Sequence, residues 1–499
     1  MPELSVILAG LGDAFTLVNL AFVAIGVAAG QMVGAIPGIG PIMAMAIAIP
    51  FTFVLDPLVA ISFLVGINKG GLFGGAIPAV LINTPGTPDA AATTLDGYPL
   101  AKSGKPLKAT KMALYASVTG DTVSDIVLIT CAAPLAGLAL KMGPVEICAL
   151  MIFAFSIIAG LIGPSLVKGL IAAVLGLLLA TVGLDPEQGT PRFYFGYFQL
   201  YDGANLVAVA VGMLAVAEIF RRIANARRQG PQPTVPLGGE GADRRVSWSE
   251  YWWCRGAMAR GAAIGTILGA LPGIGSTAAA FMSYAATKKT DNGGVPYGQG
   301  NLRGIAATES ANSAVMGANL IPLLGIGIPG SIGAALLISA FKIHGIQPGP
   351  LLFQTQARLI YGLFGAMLMA NLLNLLIGQV SLRFWAFVIR APESVIFPVA
   401  LLFCFVGVYL STGGLFGVGL MLVMAALAYV MTSLGFPVIV FIIAFFLGEG
   451  FERSLGQALV FLDGDPLALL DYPVAMGLLA LAVVVAVLLV RGGREKLGE

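Results

Sequence analysis

Charge is scarce in this 499-residue chain: Asp, Glu, Lys and Arg make up 10% of it against 58% hydrophobic residues, and the mean hydropathy is +0.93. A soluble domain carries about 25% charged residues, so a water-facing globule is excluded. The net charge is only +2 and the basic residues gather in loops, which leaves no footprint for nucleic acid. Histidine occurs once, at His344, and the four cysteines, Cys131, Cys148, Cys254 and Cys404, lie far apart with no CxxC spacing. A histidine- or cysteine-built metal centre and a disulfide framework are therefore excluded. HExxH, GxSxG and Walker A sequences are absent as well, which removes the matching hydrolases and ATP use through a P-loop. Asp121 and Asp125 form an i, i+4 carboxylate pair without the companion motif an intramembrane enzyme needs, so the chain reads as no enzyme and requires no cofactor. No Lys or Arg precedes the first apolar run of MPELSVILAGLGDAF, so a basic signal-peptide region is missing and the first segment is expected to stay as a span.

What the chain does have is long apolar runs without strand alternation, which excludes a membrane barrel. At roughly 20 residues per spanning helix, they predict an all-α polytopic membrane protein of about 11 to 12 membrane segments plus one extra C-terminal helix. The runs are also duplicated. GAIPGIG at Gly34 to Gly40 returns as GALPGIG at Gly269 to Gly275, 235 positions later. IPAVLINTPGT at Ile77 to Thr87 aligns with IPLLGIGIPGS at Ile321 to Ser331 at an offset of 244, each copy holding two prolines seven apart. Proline removes an amide donor and clashes with the preceding turn, and glycine leaves the backbone uncovered, so these motifs interrupt helices. Freed backbone groups are costly in hydrocarbon unless protein, water or a ligand meets them. Matched interruptions in two halves point to a binding site at the bilayer midplane.

Lys and Arg mark cytoplasmic loops, and counting crossings from them gives the organisation. Residues 1–220 form a first membrane repeat with its N-terminus outside; 221–256 form a basic cytoplasmic linker. A second, inverted repeat follows over 257–448, then a periplasmic loop over 449–472, then a C-terminal helix and cytoplasmic tail over 473–499. Equivalent motifs thus enter the bilayer from opposite faces as broken or re-entrant helices.

Candidate substrate-binding positions follow from the breaks. They are Gly38 and Gly40 in the first PGIG motif; Gly273, Gly275 and Ser276 at the second; Asn83, Thr84, Pro85, Gly86 and Thr87 in one tip; and Gly327, Pro329, Gly330 and Ser331 in the other. Half-helix N-termini present free amides and a positive dipole end to a carboxylate, while freed carbonyls and hydroxyls suit Na+, whose ligands stay unassigned. The structural alternatives are a kink or an Asx-Pro loop at the membrane surface. On side chains alone, the first tip is expected to carry more of the chemistry than the second. Asn68 and Asn312 sit upstream of the tips, again 244 apart. Lys69 is an ionisable group in an apolar segment; an anionic substrate and Asp121 are its possible partners, unless it snorkels to the interface. Candidates for cation coupling are Asp89, Asp96, Asp121, Asp125, Glu309, Ser310 and Asn319, with capping or structural hydrogen bonding as the alternative for Asp121 and Asp125.

At these residues the sequence resembles the large integral-membrane subunit of the tripartite tricarboxylate transporter family, TctA-like, over almost the whole chain. The motifs carrying the likeness are GAIPGIG, the run GGLFGGAIPAVLINTPGTPDAAATTLDGYPLAKSGK from Gly70 to Lys105, GALPGIG, and GIGIPGSIGAALL from Gly325 to Leu337. The resemblance implies a multi-pass protein of the bacterial inner membrane, in which the charge count places the N-terminus in the periplasm and the C-terminus in the cytoplasm. It implies import of citrate-like or other di- and tricarboxylates by Na+ or H+ symport; the motif geometry adds the expectation of alternating access of an elevator-like kind. The implied partners are a small membrane subunit of about four helices and a periplasmic solute-binding protein. A stand-alone carboxylate channel or exporter would use the same breaks as a filter.

Overall fold

Lipid offers a backbone no hydrogen bonds, so a chain this apolar has to close its amides and carbonyls within helices. The computed structural model describes residues 3–36, 40–162, 165–185, 189–225, 245–273, 275–290, 293–388, 393–463 and 465–497. They form an all-α polytopic fold; the only sheet among the described residues is a two-residue antiparallel ladder pairing Gly183 with Arg192 and Leu184 with Pro191.

The first half runs through α1 (Leu4–Ala14), α2 (Leu17–Gly34), α3 (Gly40–Thr52) and α4 (Pro57–Ile82). A 3-10 turn at Pro88–Thr93 and α5 (Thr94–Lys102) lead to the long α6 (Pro106–Ala139), then α7 (Pro144–Ile162) and α8 (Leu166–Ala180). Next, α9 (Leu206–Ala210) passes through a wide turn at Val211–Val216 into α10 (Ala217–Asn225). The second half has α11 (Trp248–Trp253), α12 (Arg255–Gly269), α13 (Ser276–Thr290), α14 (Leu302–Ala318), α15 (Leu320–Ile326) and α16 (Ile332–Ile343). It continues with α17 (Leu352–Thr355), α18 (Ala357–Val388), α19 (Glu393–Thr412), α20 (Leu415–Ser433), α21 (Val438–Phe461) and α22 (Pro473–Leu497).

Six stretches among the described residues are long and apolar enough to cross a bilayer unaided, in α2, α4, α6, α18, α19 and α20. The helices that follow the two PGIG motifs are short: α3 has 13 residues and α13 has 15. At 1.5 Å per residue each reaches only about 20 Å into a core of about 30 Å. The expected linker over 221–256 is described only at its two ends, and Gly38 lies outside the described residues. The loop expected over 449–472 starts later, because α21 runs on to Phe461. Its charges do not stop it: Glu449 pairs with Lys342 at 3.0 Å and with Arg453 at 3.4 Å, and Glu452 pairs with Arg192.

The two halves repeat each other at the level of backbone contact. Glycines recur every fourth residue at Gly26, Gly30 and Gly34 on α2, and 235 positions later at Gly261, Gly265 and Gly269 on α12. A methyl group placed on Gly30 would lie 2.1 Å from the Ile67 carbonyl oxygen on α4, and one on Gly265 would lie 2.3 Å from the Ala311 carbonyl oxygen on α14. Gly26 and Gly34 meet Phe63 and Gly71 in the same way, and Gly261 and Gly269 meet Ala307 and Val315. Every partner pair is 244 apart. Side-chain-free strips let helices touch backbone to backbone, the main source of packing attraction where lipid removes the hydrophobic drive. The halves then interlock: α6 packs along α14 and α18 along α4, the 3-10 turn Pro88–Thr93 lies on α13, and α16 lies on α3. A peripheral layer of α7, α8, α21 and α22 covers one flank.

Gly30→Val or Gly265→Val should force these pairs apart at a cost of about 1–3 kcal/mol or more. The thermal unfolding midpoint in detergent should fall by several degrees, while Gly419→Val, on α20 with open space around it, should leave the midpoint unchanged.

Candidate functional site

Each broken helix is built from the same backbone parts. Gly40 and Gly275 end the PGIG motifs with φ of +66° and +63°, a left-handed conformation that glycine adopts without strain, and each is at the start of a half-length helix, α3 or α13. At the tips, Asn83 (φ 54°) and Gly327 (φ 80°) end α4 and α15 in the same conformation. The amide of Thr84 then donates to the Pro78 carbonyl at 3.4 Å, as Ile328 does to Pro322 at 3.2 Å. Thr87 and Ser331 return to extended backbone and open the next element, the 3-10 turn and α16 respectively. The Gly86 amide donates to the Gly75 carbonyl at 3.1 Å, and the Gly273 amide to the Gly330 carbonyl at 3.2 Å. The interruptions therefore spend part of their freed backbone on one another.

The rest faces a cavity of about 290 Å³ where the halves meet. Its lining comes in duplicate pairs: Pro41 with Ser276, Ile42 with Thr277 and Asn68 with Asn312. Leu72 with Met316, Pro88 with Ile332 and Asp89 with Gly333 continue the series. The N-terminal ends of α3, α13 and α16 all contribute to this wall, so three helix dipoles present positive ends to one small volume. No Lys, Arg or His is among the described lining residues, and Asp89 is the one charged side chain. Thr277 Oγ1 donates to Asp89 Oδ1 at 2.8 Å, across the two halves. Ser331 Oγ caps α16 by accepting the Ala334 amide at 3.2 Å. Asn312 is fully buried in this wall, one turn after Glu309 on α14.

In the duplicate pairs, the side-chain polarity falls mostly on the second half. Ser276, Thr277, Ser331, Asn312 and Asn319 line the cavity from that side, against Asn68 and Asp89 from the first. This reverses the expectation drawn from the NTPGT tip. Asn83 and Thr84 are not in the lining, and the left-handed stop that Asn83 shares with Gly327 explains its presence. Gly327 and Pro329 likewise shape the second tip from outside the lining, while Gly273, Gly275 and Gly330 are part of it. Pro85, Gly86, Thr87 and Gly40 instead line a second cavity of about 710 Å³. It shares Pro41, Ile42, Pro88, Asp89, Ile332 and Ile439 with the first and extends to Glu218, Arg221 and Arg222 on α10. Glu218 accepts from Arg221 Nε at 2.8 Å and Arg222 Nε at 3.0 Å, so two guanidinium groups share one carboxylate.

Lys69 does not reach the cavity. Its Nζ, fully buried, donates to Asp121 at 3.2 Å, to Asp125 at 2.9 Å and to the Asn371 side-chain oxygen at 2.9 Å. The amide of Asn371 returns a 2.7 Å bond to Asp125. Of the partners open to Lys69 on sequence, the fold supplies Asp121, and adds Asp125. Behind them, Gln31 Nε2 donates to Asn374 Oδ1 at 2.7 Å and Trp385 Nε1 to Gln31 Oε1 at 2.8 Å, tying α18 to α2. Asn371 and Asn374 were legible as two amides three apart in the apolar run MLMANLLNLLIG, a pattern that marks internal helix faces in membranes.

Asp96 is also a framework group. Its Oδ1 accepts the amides of Gly298 (2.9 Å), Gly300 (2.9 Å) and Asn301 (2.8 Å), and its Oδ2 accepts the Tyr284 hydroxyl at 2.9 Å, which pins α5 to the loop before α14. Ser310 packs beneath α6 and α12, with its hydroxyl on the Ala307 carbonyl. Glu309, one turn before Asn312, accepts the Thr93 hydroxyl on Oε1. Thr277, the cross-half partner of Asp89, is the lining residue that motif reading missed, because its duplicate is the apolar Ile42.

A family model described as the tripartite tricarboxylate transporter TctA family matches residues 20–443. A relative from Agrobacterium vitis, named "Uncharacterized 52.8 kDa protein in TAR-I ttuC' 3'region", is 35% identical over 493 residues, covering 98% of this chain and 97% of the relative. A second from the same organism, "Uncharacterized protein in TAR-II ttuC' 3'region", is 33% identical over 224 residues, 45% of this chain and 93% of that protein.

Two substitutions separate framework from site. Lys69→Met strands two buried carboxylates, a loss of about 3–5 kcal/mol that should appear as a collapse of the thermal midpoint. Adding Asp121→Asn and Asp125→Asn should restore most of it. Asn83→Gly should preserve the midpoint and Asn83→Val should lower stability by about 1–2 kcal/mol, the strain of a left-handed branched residue; equal effects of the two would show that the Asn83 side chain acts as more than a helix stop.

Proposed function

The chain belongs to the tripartite tricarboxylate transporter TctA family, and from that premise we propose that this multi-pass membrane transport component imports di- or tricarboxylates by cation symport. The observation that carries the proposal is the cavity between the halves, where three helix N-termini converge and Asp89 is the one charged side chain among the described lining residues. Helix N-termini hold carboxylates through free amides, and Ser276, Thr277, Ser331, Asn68, Asn312 and Asn319 supply the polar contacts that orient one. An anion of two or three charges beside Asp89, with no basic residue in the described wall, needs cations to balance it. Na+ or H+ entering with the substrate meets that need, with Asp89 and Thr277 as the cation's first contacts.

In this reading the pseudo-symmetric halves alternate the site between the two faces of a bacterial inner membrane, in an elevator-like movement of the broken helices past α18 and the peripheral layer. The N-terminus is periplasmic and the C-terminus cytoplasmic. The larger cavity is the route to the cytoplasm, and Arg221 and Arg222, with one carboxylate between them, draw the anion out. A periplasmic binding protein delivers the substrate and a small membrane subunit of about four helices completes the complex, both by analogy with the family's tripartite name.

Reconstituted vesicles test this directly. Carboxylate should accumulate only with an inward cation gradient and a loaded binding protein, and uptake that proceeds without any gradient and only equilibrates would favour the channel reading. The double substitution Ser276→Ala, Thr277→Val should raise the half-saturating carboxylate concentration about tenfold, equivalent to 1.4 kcal/mol, with the unfolding midpoint kept.

A further inference from the structure

Glu309 is a buried acid beside the cavity with nothing yet to do. It is fully buried on α14, one turn before Asn312, whose side chain lines the cavity. Its Oε1 meets the Thr93 hydroxyl, and the Asn312 side chain is the carboxyl's other hydrogen-bonding neighbour. Elements packed against α14 carry Asp89 on the 3-10 turn, Tyr98, Asp96 and Lys102 on α5, Tyr284, Lys288 and Lys289 on α13, Arg255 and Arg260 on α12, and Lys108, Lys111 and Tyr115 on α6. Lys69, Asp121 and Asp125 follow across α4 and α6. Asp96 is bonded to Tyr284 and three amides, and Lys69 is bonded to the two aspartates. Thr93 and Asn312 act on Glu309 by hydrogen bonding, and Asp89, of the same sign, acts on it through space. A bare carboxylate in this setting is costly.

Hydrogen counting around it is more specific. Thr93 Oγ1 lies within hydrogen-bond reach of both Glu309 Oε1 and Thr308 Oγ1, the latter at 3.1 Å. Thr308 spends its own hydroxyl hydrogen on the carbonyls of Ile305 (3.0 Å) and Gly304 (3.2 Å). Thr93 therefore has one hydrogen for two acceptors. A proton on Glu309 completes the chain: Glu309 donates to Thr93, Thr93 to Thr308, and Thr308 to the α14 backbone. Without that proton one contact in the series has no hydrogen.

Thr93 ends the 3-10 turn that begins with Pro88 and Asp89 in the cavity wall. The hydroxyl chain thus fastens the first half's tip to a helix of the second half. We infer that Glu309 is the proton-carrying group of the transport cycle and that its proton is the clasp holding the Pro88–Thr93 turn against α14. Protonated, Glu309 docks the turn beside the loaded cavity; when the proton leaves to the cytoplasm with the substrate, the turn is released. One proton enters and one leaves per cycle, with no other chemical change. This inference rests on the transport reading above and chooses H+ over Na+ for this position.

The test uses the full chain with its partner subunits in proteoliposomes, with carboxylate uptake and internal pH followed together. The wild type should move protons inward with the substrate, and uptake should fall as external pH rises. Glu309→Gln keeps an N–H donor for Thr93, so its unfolding midpoint should stay near that of the wild type. Its net accumulation on a proton gradient should fall by about tenfold or more relative to its residual exchange of labelled for unlabelled carboxylate, and its pH profile should be flat. Thr93→Val, which breaks the clasp but keeps the carboxyl, should retain proton movement and shift the pH midpoint of uptake. Wild-type accumulation and pH profile in Glu309→Gln would overturn the inference. Uptake driven by Na+ without proton movement in the wild type would overturn it too, while leaving the transport reading intact. No carboxylate uptake by the wild type under any gradient would instead defeat the transport reading and the inference with it.

Discussion

A helix broken inside hydrocarbon has to hand its freed amides and carbonyls to something other than solvent, and the rest of this structure follows from how that demand is met. The chain breaks helices at the PGIG motifs and at the two tips, and turns those breaks toward one another. Glycine strips on α2 and α12 make this possible, because only bare backbones allow α4 and α14 to come close enough for the tips to meet the PGIG turns. Gly86 and Gly273 then take up carbonyls of neighbouring segments, and the groups left over point into a cavity where the halves join. A cavity walled by backbone is the by-product of satisfying backbone in lipid.

Side-chain charge is kept separate from it. The Lys69, Asp121, Asp125 and Asn371 cluster lies between α4, α6 and α18, where each member is bonded to another. Its removal from the cavity leaves the helix ends as the positive end of the electrostatics and Asp89 as the negative one. Duplication supplied matching backbones, but the side chains on them have diverged. Pro41 and Ile42 face Ser276 and Thr277 at equivalent positions, so one half shapes the volume while the other offers most of the hydroxyls. A symmetric scaffold with an asymmetric lining can hold two unlike ions together.

The repeats, the breaks and the all-α class were legible in the sequence because each is a local property: proline and glycine act on their own turn, and apolar length acts on its own segment. What escaped depended on packing across the chain. Asn83 looked like a ligand because amides often are, yet its φ of 54° and its equivalence to Gly327 make it a helix stop. Lys69 had partners whose identity only the approach of α6 and α18 could decide. α21 runs past the end of its apolar stretch, and the charges there, Glu449 and Glu452, find partners only when folding brings Lys342 and Arg192 beside them. The glycine strips were visible at a four-residue spacing in both halves, but which helix they would touch was a question of fold.

Interlocking is what turns this packing into a device that can have two states. The Pro88–Thr93 turn, which follows the first tip, lies on α13, the helix that follows the second PGIG motif, and α16, after the second tip, lies on α3. Each break is therefore seated on the other half's half-helix, so a tip cannot shift unless the opposite half-helix moves or lets go. A small change at either interface, such as one hydrogen bond gained or lost at Thr93 or Thr277, acts on both halves at once. In the proposed transport cycle the two states would be packings that exchange the roles of the halves, and a ligand seated on all three helix N-termini would favour the packing that keeps those ends together.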